Sequence, residues 1–170
     1  NIVRMESIGL AAKKNNRQVA IVGRSMKRTI EAADENGYIK YLKDYISEED
    51  IPYIPRENLV IICTGSQGEK RSALYRIAYN AHNYVSLEKN DVAIFSSRDI
   101  PGNEKSINNL KNLLIRQDIE IMMPALGLNS MNVKNCALNG WSILSTNFCE
   151  ENLLKNHVLE YKENFKEKNT

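Results

Sequence analysis

The sequence predicts an α/β fold, a mostly parallel sheet flanked by helices with a C-terminal extension. Three observations carry this. Short β-branched runs alternate with segments whose apolar residues recur every three to four positions, in the order αβαβαβαβ. The runs lead into loops rich in Gly and Ser, the usual form of a strand-to-helix turn. The chain has 170 residues, 42% of them hydrophobic, which suits one compact domain, or one domain with an appendage, around an adequate core.

Taken in order, Met5, Ile8 and Ala12 share one helical face, and that helix ends in the polar "KKNNR" before the strand-like "QVAIV" at 18–22. After "GRS", Met26, Ile30 and Ala33 mark a second helix, stopped at "ENG", where Gly37 suits the position after the last turn. Residues 38–58 form a connecting excursion in which Pro52 and Pro55 allow no more than a short helix or turn. "LVIICT" predicts a buried strand, and Leu74, Ile77, Ala78 and Ala81 a third helix. "DVAIFSS" predicts a third strand, and Ile107, Leu110, Leu113 and Leu114 a helix that "GNE" begins. "IEIMM" predicts a fourth strand. Residues 123–170 read as a polar, Asn-rich linker followed by a helix over about 150–166, with Leu153, Leu154, Val158 and Tyr161 on one side; docking of Trp141 and Phe148 on the body and a frayed tail are equal alternatives.

In a single open parallel sheet, ligands gather beyond the carboxyl ends of the strands, where helix N-termini expose unpaired N–H groups. Three loops then fall on one edge: "GRS" at 23–25, "TGSQGE" at 64–69 and "SSRDIPGNE" at 96–104. Glycine lets backbone approach a ligand, hydroxyls donate to phosphate oxygens, and Arg24 or Arg98 adds a charge-assisted fork. Each loop alone is more often only an ordinary βα turn, three on one edge bring an anion-binding role level with that reading, and neither P-loop nor G-x-G-x-x-G spacing is present.

Composition narrows the function classes. Lys plus Arg number 23 against 21 Asp plus Glu, a net charge of +2, so nucleic acid would be met by a local patch. Cys63, Cys136 and Cys149 form no C-x-x-C pair and fit a reducing cytoplasm; Cys63 reads as a small core residue. No stretch is long and apolar enough to cross a bilayer, so no membrane is expected, and the absence of an initiator Met suggests a piece of something larger. His82 and His157 lie in no metal-ligand spacing, and His82 is expected at a cap or on the surface. Ser66 with Glu69 and Ser96 with Asp99 lack a histidine base, and Glu48, Glu49 and Asp50 read as a solvated turn. Binding is favoured over autonomous catalysis, with no catalytic and no metal residue assigned.

"GRSM" after a strand, "ENGYI", "TGSQGE" and, some thirty residues on, "SSRDIPGNE" together resemble the β-CASP domain of ribonuclease J, over about residues 1–122. The resemblance implies a Rossmann-like β-CASP domain inserted into a metallo-β-lactamase-fold, zinc-dependent RNase of the 5′-to-3′ exo- and endonuclease kind. In that family two zinc ions, held by a His-x-His-x-Asp-His cluster, activate the attacking water. By the same resemblance Arg24, Ser25, Thr64, Gly65, Ser66, Gln67, Glu69, Ser96, Ser97, Gly102 and Asn103 are expected at a cleft that binds single-stranded RNA, including RNA with a 5′-monophosphate.

The departures are as informative. No His-x-His-x-Asp-His occurs in these residues, and the His-x-Ser-Gly-His that follows the fourth strand in the family is replaced by 123–170, which aligns with nothing in it. The expectation is an RNA-binding β-CASP domain, excised, gene-split or truncated with a drifted frame after Met122, with no cofactor of its own and inactive alone. A metallo-β-lactamase domain in cis or trans would be its partner. A stand-alone nucleotide or sugar-phosphate binding module, and an interaction subunit pairing with a separate lactamase domain, remain as alternatives.

Overall fold

The computed structural model describes residues 1–145 and 150–168, arranged in two compact units, Asn1–Ser86 and Leu87–Thr170. In the first unit, α1 (Ile2–Lys14) starts at Asn1, whose side chain accepts the Arg4 N–H, and buries Met5 and Ala12. β1 (Gln18–Val22) runs parallel to β2 (Leu59–Cys63), in register from Gln18 with Leu59 to Val22 with Cys63. Ile46 bridges to Ala20 on the free side of β1, so β1 is flanked on both edges. Four of its five residues are buried, whereas β2, expected to be buried, is half-buried throughout.

α2 (Arg24–Glu35) turns Ile30 and Ala33 onto the same core, which also takes in Val19, Ile21, Ile39 and Leu42. The excursion between α2 and β2 holds two 3₁₀ segments, Glu48–Tyr53 and Arg56–Asn58. It is pinned to α1 by the Glu6 carboxylate, which accepts the N–H groups of Lys40 at 2.8 Å, Tyr41 at 3.0 Å and Leu42 at 3.1 Å. One acceptor thereby satisfies three main-chain donors that no ladder serves. α3 (Ala73–Ala78) is shorter than its apolar spacing predicts: Asn80 adopts φ 52°, the Ala81 N–H closes on the Arg76 carbonyl at 2.7 Å, and Ala81 is exposed.

The second unit carries its own sheet. β3 (Val92–Ile94), β4 (Glu120–Ala125) and β5 (Ser142–Ser145) pair in parallel in the order β3–β4–β5. β4 is central and alternates buried and less buried residues, while β3 is an edge with Val92 and Ile94 exposed. α4 (Glu104–Ile115) packs on β4 through Ile107, Leu110 and Leu114. The elements therefore alternate as expected and the strands are parallel, but among the described residues they form two sheets where alternation alone predicts one.

Residues expected as a linker instead contain α5 (Met131–Asn139) and β5. Val133, Cys136 and Ala137 of α5 are buried, and the Trp141 N–H returns to the Cys136 carbonyl at 2.9 Å just past Gly140. α6 (Glu151–Lys168), the expected terminal helix, is held by His157 and Tyr161. The His157 Nε2–H donates to the Gly127 carbonyl at 2.8 Å, its Nδ1 accepts the Ser145 hydroxyl at 3.0 Å, and the Tyr161 hydroxyl donates to the Trp141 carbonyl at 2.9 Å. Trp141 is buried, the docked alternative rather than the frayed one; Phe148 and Cys149 lie outside the described residues.

Candidate functional site

"GRS" and "TGSQGE" follow β1 and β2, and because those strands are adjacent and parallel, both loops leave the same end of one sheet. The Thr64 N–H donates to the Val22 carbonyl at 3.3 Å, and the Thr64 carbonyl accepts from Leu74 N–H at 2.9 Å, tying loop to strand and to α3. Gly23 admits this approach: a Cβ there would stand 2.7 Å from Thr64 Oγ1. The Gly65 carbonyl accepts the Gly68 N–H at 3.1 Å, which closes a tight turn, and Ser72 caps α3 by accepting the Tyr75 N–H. Gly65 is buried, Thr64, Ser66 and Gln67 are half-buried, and Arg24, Ser25 and Glu69 are exposed.

The same corner contains a cluster that the sequence does not reveal. Glu48, read as part of a solvated turn, reaches the start of α2. It accepts the Gly23 N–H at 3.4 Å and the Lys27 ammonium at 2.9 Å, and its second oxygen lies 3.6 Å from His82 Nε2. A carboxylate at a helix N-terminus is favoured by the helix dipole. Burial pushes the Glu48 carboxyl up, but Lys27, the Gly23 amide and His82 outweigh it and hold it below its ordinary value.

His82 corrects another expectation, since its side chain is 2% exposed rather than at the surface. The Tyr84 N–H donates to its Nδ1 at 3.4 Å, which makes Nε2 the protonated nitrogen of the neutral ring, facing Glu48. Burial, helped by Arg76 and Lys27, lowers its pKa against the pull of Glu48. Residues 34 positions apart in the chain meet here, and no local pattern signals such a contact.

The third loop belongs to the second unit, with Ser96 and Ser97 half-buried after β3, and Gly102 and Asn103 leading into α4. Asn103 makes no side-chain capping bond. The Gly102 N–H instead donates to the Glu104 carboxylate at 2.9 Å, and the amides of Glu104 and Gly102 hold that carboxyl below its ordinary value. In both units, therefore, a glycine amide at the mouth of a helix is already bonded to one of the chain's own carboxylates. The structure brings Arg24, Ser25, Thr64, Gly65, Ser66, Gln67 and Glu69 to one sheet end and carries Ser96, Ser97, Gly102 and Asn103 on the other sheet.

Zinc does not fit these residues. Both ring nitrogens of His157 are hydrogen-bonded, and Nδ1 of His82 already accepts a main-chain N–H, so neither offers a metal a lone pair beside a carboxylate set. Among the described residues no group of three or more His, Cys, Asp or Glu is arranged to hold a metal. Burial pushes the Cys63 thiol up to about 11, away from a reactive thiolate. No helix among them is long and apolar enough to cross a membrane.

Comparison with known proteins gives one consistent result. The family profile described as "Ribonuclease J, beta-CASP domain" matches residues 1–114. Ribonuclease J of Sinorhizobium meliloti is 44% identical over 122 residues, covering 72% of this chain and 22% of that protein. Ribonuclease J of Helicobacter pylori 26695 is 39% identical over 109 residues (64% and 16%), and that of Thermus thermophilus 36% over 124 residues (73% and 22%). The chain thus spans about a fifth of the length of these relatives.

Proposed function

This chain belongs to the ribonuclease J β-CASP domain family, and on that premise we propose that it supplies RNA binding to a zinc-dependent ribonuclease and hydrolyses nothing by itself. The supporting observation is the union of "GRS" and "TGSQGE" at the carboxyl end of adjacent parallel strands, inside the matched region. Because the Gly23 amide is given to Glu48, the phosphate contacts come from the exposed Arg24 guanidinium and the Ser25 hydroxyl, with Thr64, Ser66 and Gln67 shaping the wall beside them. Ser96, Ser97, Gly102 and Asn103 provide the contribution of the second unit. Water activation by two zinc ions belongs to a metallo-β-lactamase domain, in cis or in trans, and the working compartment is the cytoplasm.

Titration of the chain with 5′-monophosphorylated single-stranded RNA at several salt concentrations tests this. Binding should weaken with salt at a slope of roughly −0.7 per phosphate contacted, and R24A should both reduce affinity and remove about one phosphate's share of the slope. Absence of binding at low salt, or binding that R24A and S66A leave unchanged, refutes the RNA role. Equal affinity for a mononucleotide would favour a small-phosphate module instead. Zinc-dependent cleavage by the pure chain would overturn the claim that it is inactive alone.

A further inference from the structure

The helix that follows "TGSQGE" has two unlike sides. Ala73, Ile77 and Ala78 of α3 are buried, whereas Tyr75 is half-buried and Arg76 and Tyr79 are exposed. Tyr75 and Tyr79 stand four residues apart, so their rings meet on the outer side, with centroids 4.5 Å apart and planes inclined by 26°. Tyr79 is 55% exposed, which makes the pair a surface feature rather than part of the core. Its place is fixed to the loop: the Leu74 N–H donates to the Thr64 carbonyl at 2.9 Å, and the Ser72 hydroxyl oxygen accepts the Tyr75 N–H at 3.3 Å.

The chain around this pair is cationic. From Lys70 to Leu87 it carries Lys70, Arg71 and Arg76 and no Asp or Glu, and Glu69 just before them is outnumbered. All three cations are exposed, and none forms an ion pair with a carboxylate among the described residues. Exposed aromatic faces among free cations suit a ligand that carries flat apolar faces on a polyanion, which is the chemistry of a single nucleic-acid strand. A duplex offers the same phosphates but keeps its base faces inside its own stack. Two rings at this spacing also support a helix by touching each other, but that role has no use for the cations beside them.

Resting on the RNA role proposed above, we propose that the solvent-facing side of the Tyr75–Tyr79 pair stacks against an unpaired RNA base, while Lys70, Arg71 and Arg76 contact the phosphates that flank it. Every base has a π face, so this contact adds affinity and fixes the position of the strand without selecting its sequence.

The experiment measures binding of the full chain to a 5′-monophosphorylated single-stranded oligoribonucleotide, to the same oligomer with abasic riboses and to a duplex of equal length. Wild type is compared with Y79L, Y79F, R76A and R24A. Y79L keeps an apolar side chain at an exposed position, and should weaken single-strand binding about five- to tenfold with the salt slope unchanged. Y79F, which keeps the ring, should restore it, and R76A should instead lower the slope by roughly 0.7. The abasic oligomer should bind wild type and Y79L alike, because it has phosphates but no base to stack. Unchanged single-strand affinity in Y79L, or an equal loss in Y79L on the abasic oligomer or the duplex, overturns the proposal. Dependence on R24A without dependence on Y79L refutes the stacking pair and leaves the RNA role standing. The reverse keeps the stacking pair and refutes the loop contacts, and absence of binding to any RNA at low salt refutes both.

Discussion

The two units treat a buried charge in opposite ways. In the first, Glu48 is met by an ammonium at 2.9 Å, a main-chain amide at 3.4 Å and an imidazole at 3.6 Å, and the charge becomes a rivet between α2, a 3₁₀ segment and the chain after α3. In the second, Lys111 is more deeply buried, its side chain 2% exposed against 19% for Glu48, and is given two aromatic faces, a thioether and a carboxylate at 3.9 Å. Cation–π contact replaces part of what water supplied and leaves the N–H directions underused. A charge met by polar partners ties loops together, whereas one set between aromatic faces is held by the packing of the rings around it.

Substitutions that break this comparison are expected to differ in size. Gly65 stands at φ 118°, and an added Cβ would overlap the Ser72 hydroxyl and lie 2.6 Å from Ser72 Cβ. G65A should cost about 2–4 kcal/mol in urea unfolding, from a strained backbone plus a clash in a buried turn. Gly102 has φ 95° with open space around it, so G102A in the second unit should cost only about 1 kcal/mol. Equal losses at the two sites would show that the clash with Ser72 is relieved.

E48Q should come next, at about 1–3 kcal/mol at pH 7, because Lys27 and the Gly23 amide lose an ionised acceptor. The pH dependence follows from the directions of the shifts. Glu48 is held below its ordinary value of 4.5, so its contribution is present above that pH and lost as pH falls through the lower folded value. His82 is also lowered, from 6.5, so the unfolded chain binds its proton first and stability falls below about that pH as well. Wild type should therefore lose stability on acidification in two stages, and in E48Q the lower one should shrink to what Glu104 contributes. An unaltered acid limb in E48Q would mean that the carboxylate is not the titrating partner.

Lys111 gives the smallest effect and the opposite dependence on its charge. Burial lowers its pKa from 10.5, against the opposing pull of Asp99 and Cys136. The unfolded chain therefore holds this proton over a range where the folded chain has released it, and stability rises as pH increases towards 10.5. K111M should remove that alkaline rise and change stability by no more than about 1 kcal/mol at pH 7, since an apolar replacement relieves an under-partnered charge. A loss of several kcal/mol would instead identify the ammonium as a structural keystone of the second unit.

Much of this was legible in the residues. Helices α1, α2 and α4 lie near their expected places because apolar spacing and capping residues act over a single turn, as with Ile30 and Ala33 in α2 or Ile107, Leu110 and Leu114 in α4. The same spacing held an unused clue: Lys111 lies four residues after Ile107 and three before Leu114, on the buried stripe. α5 was also signalled, by Ser130 ahead of it, Val133, Cys136 and Ala137 on one face and Gly140 behind, although the polar asparagines between them suggest a linker.

By itself, the sequence determined the kind of fold, the place of each strand-to-helix loop and, through "GRSM", "TGSQGE" and "IPGNE", the family. Those features depend on local conformation and on residue order. Only the tertiary structure decided that the strands pair as two sheets, that Glu48 and His82 close on the start of α2, and that Lys111 meets Trp141. Each of these joins residues far apart in the chain, and which distant partner satisfies a buried charge is set by packing that no short stretch encodes.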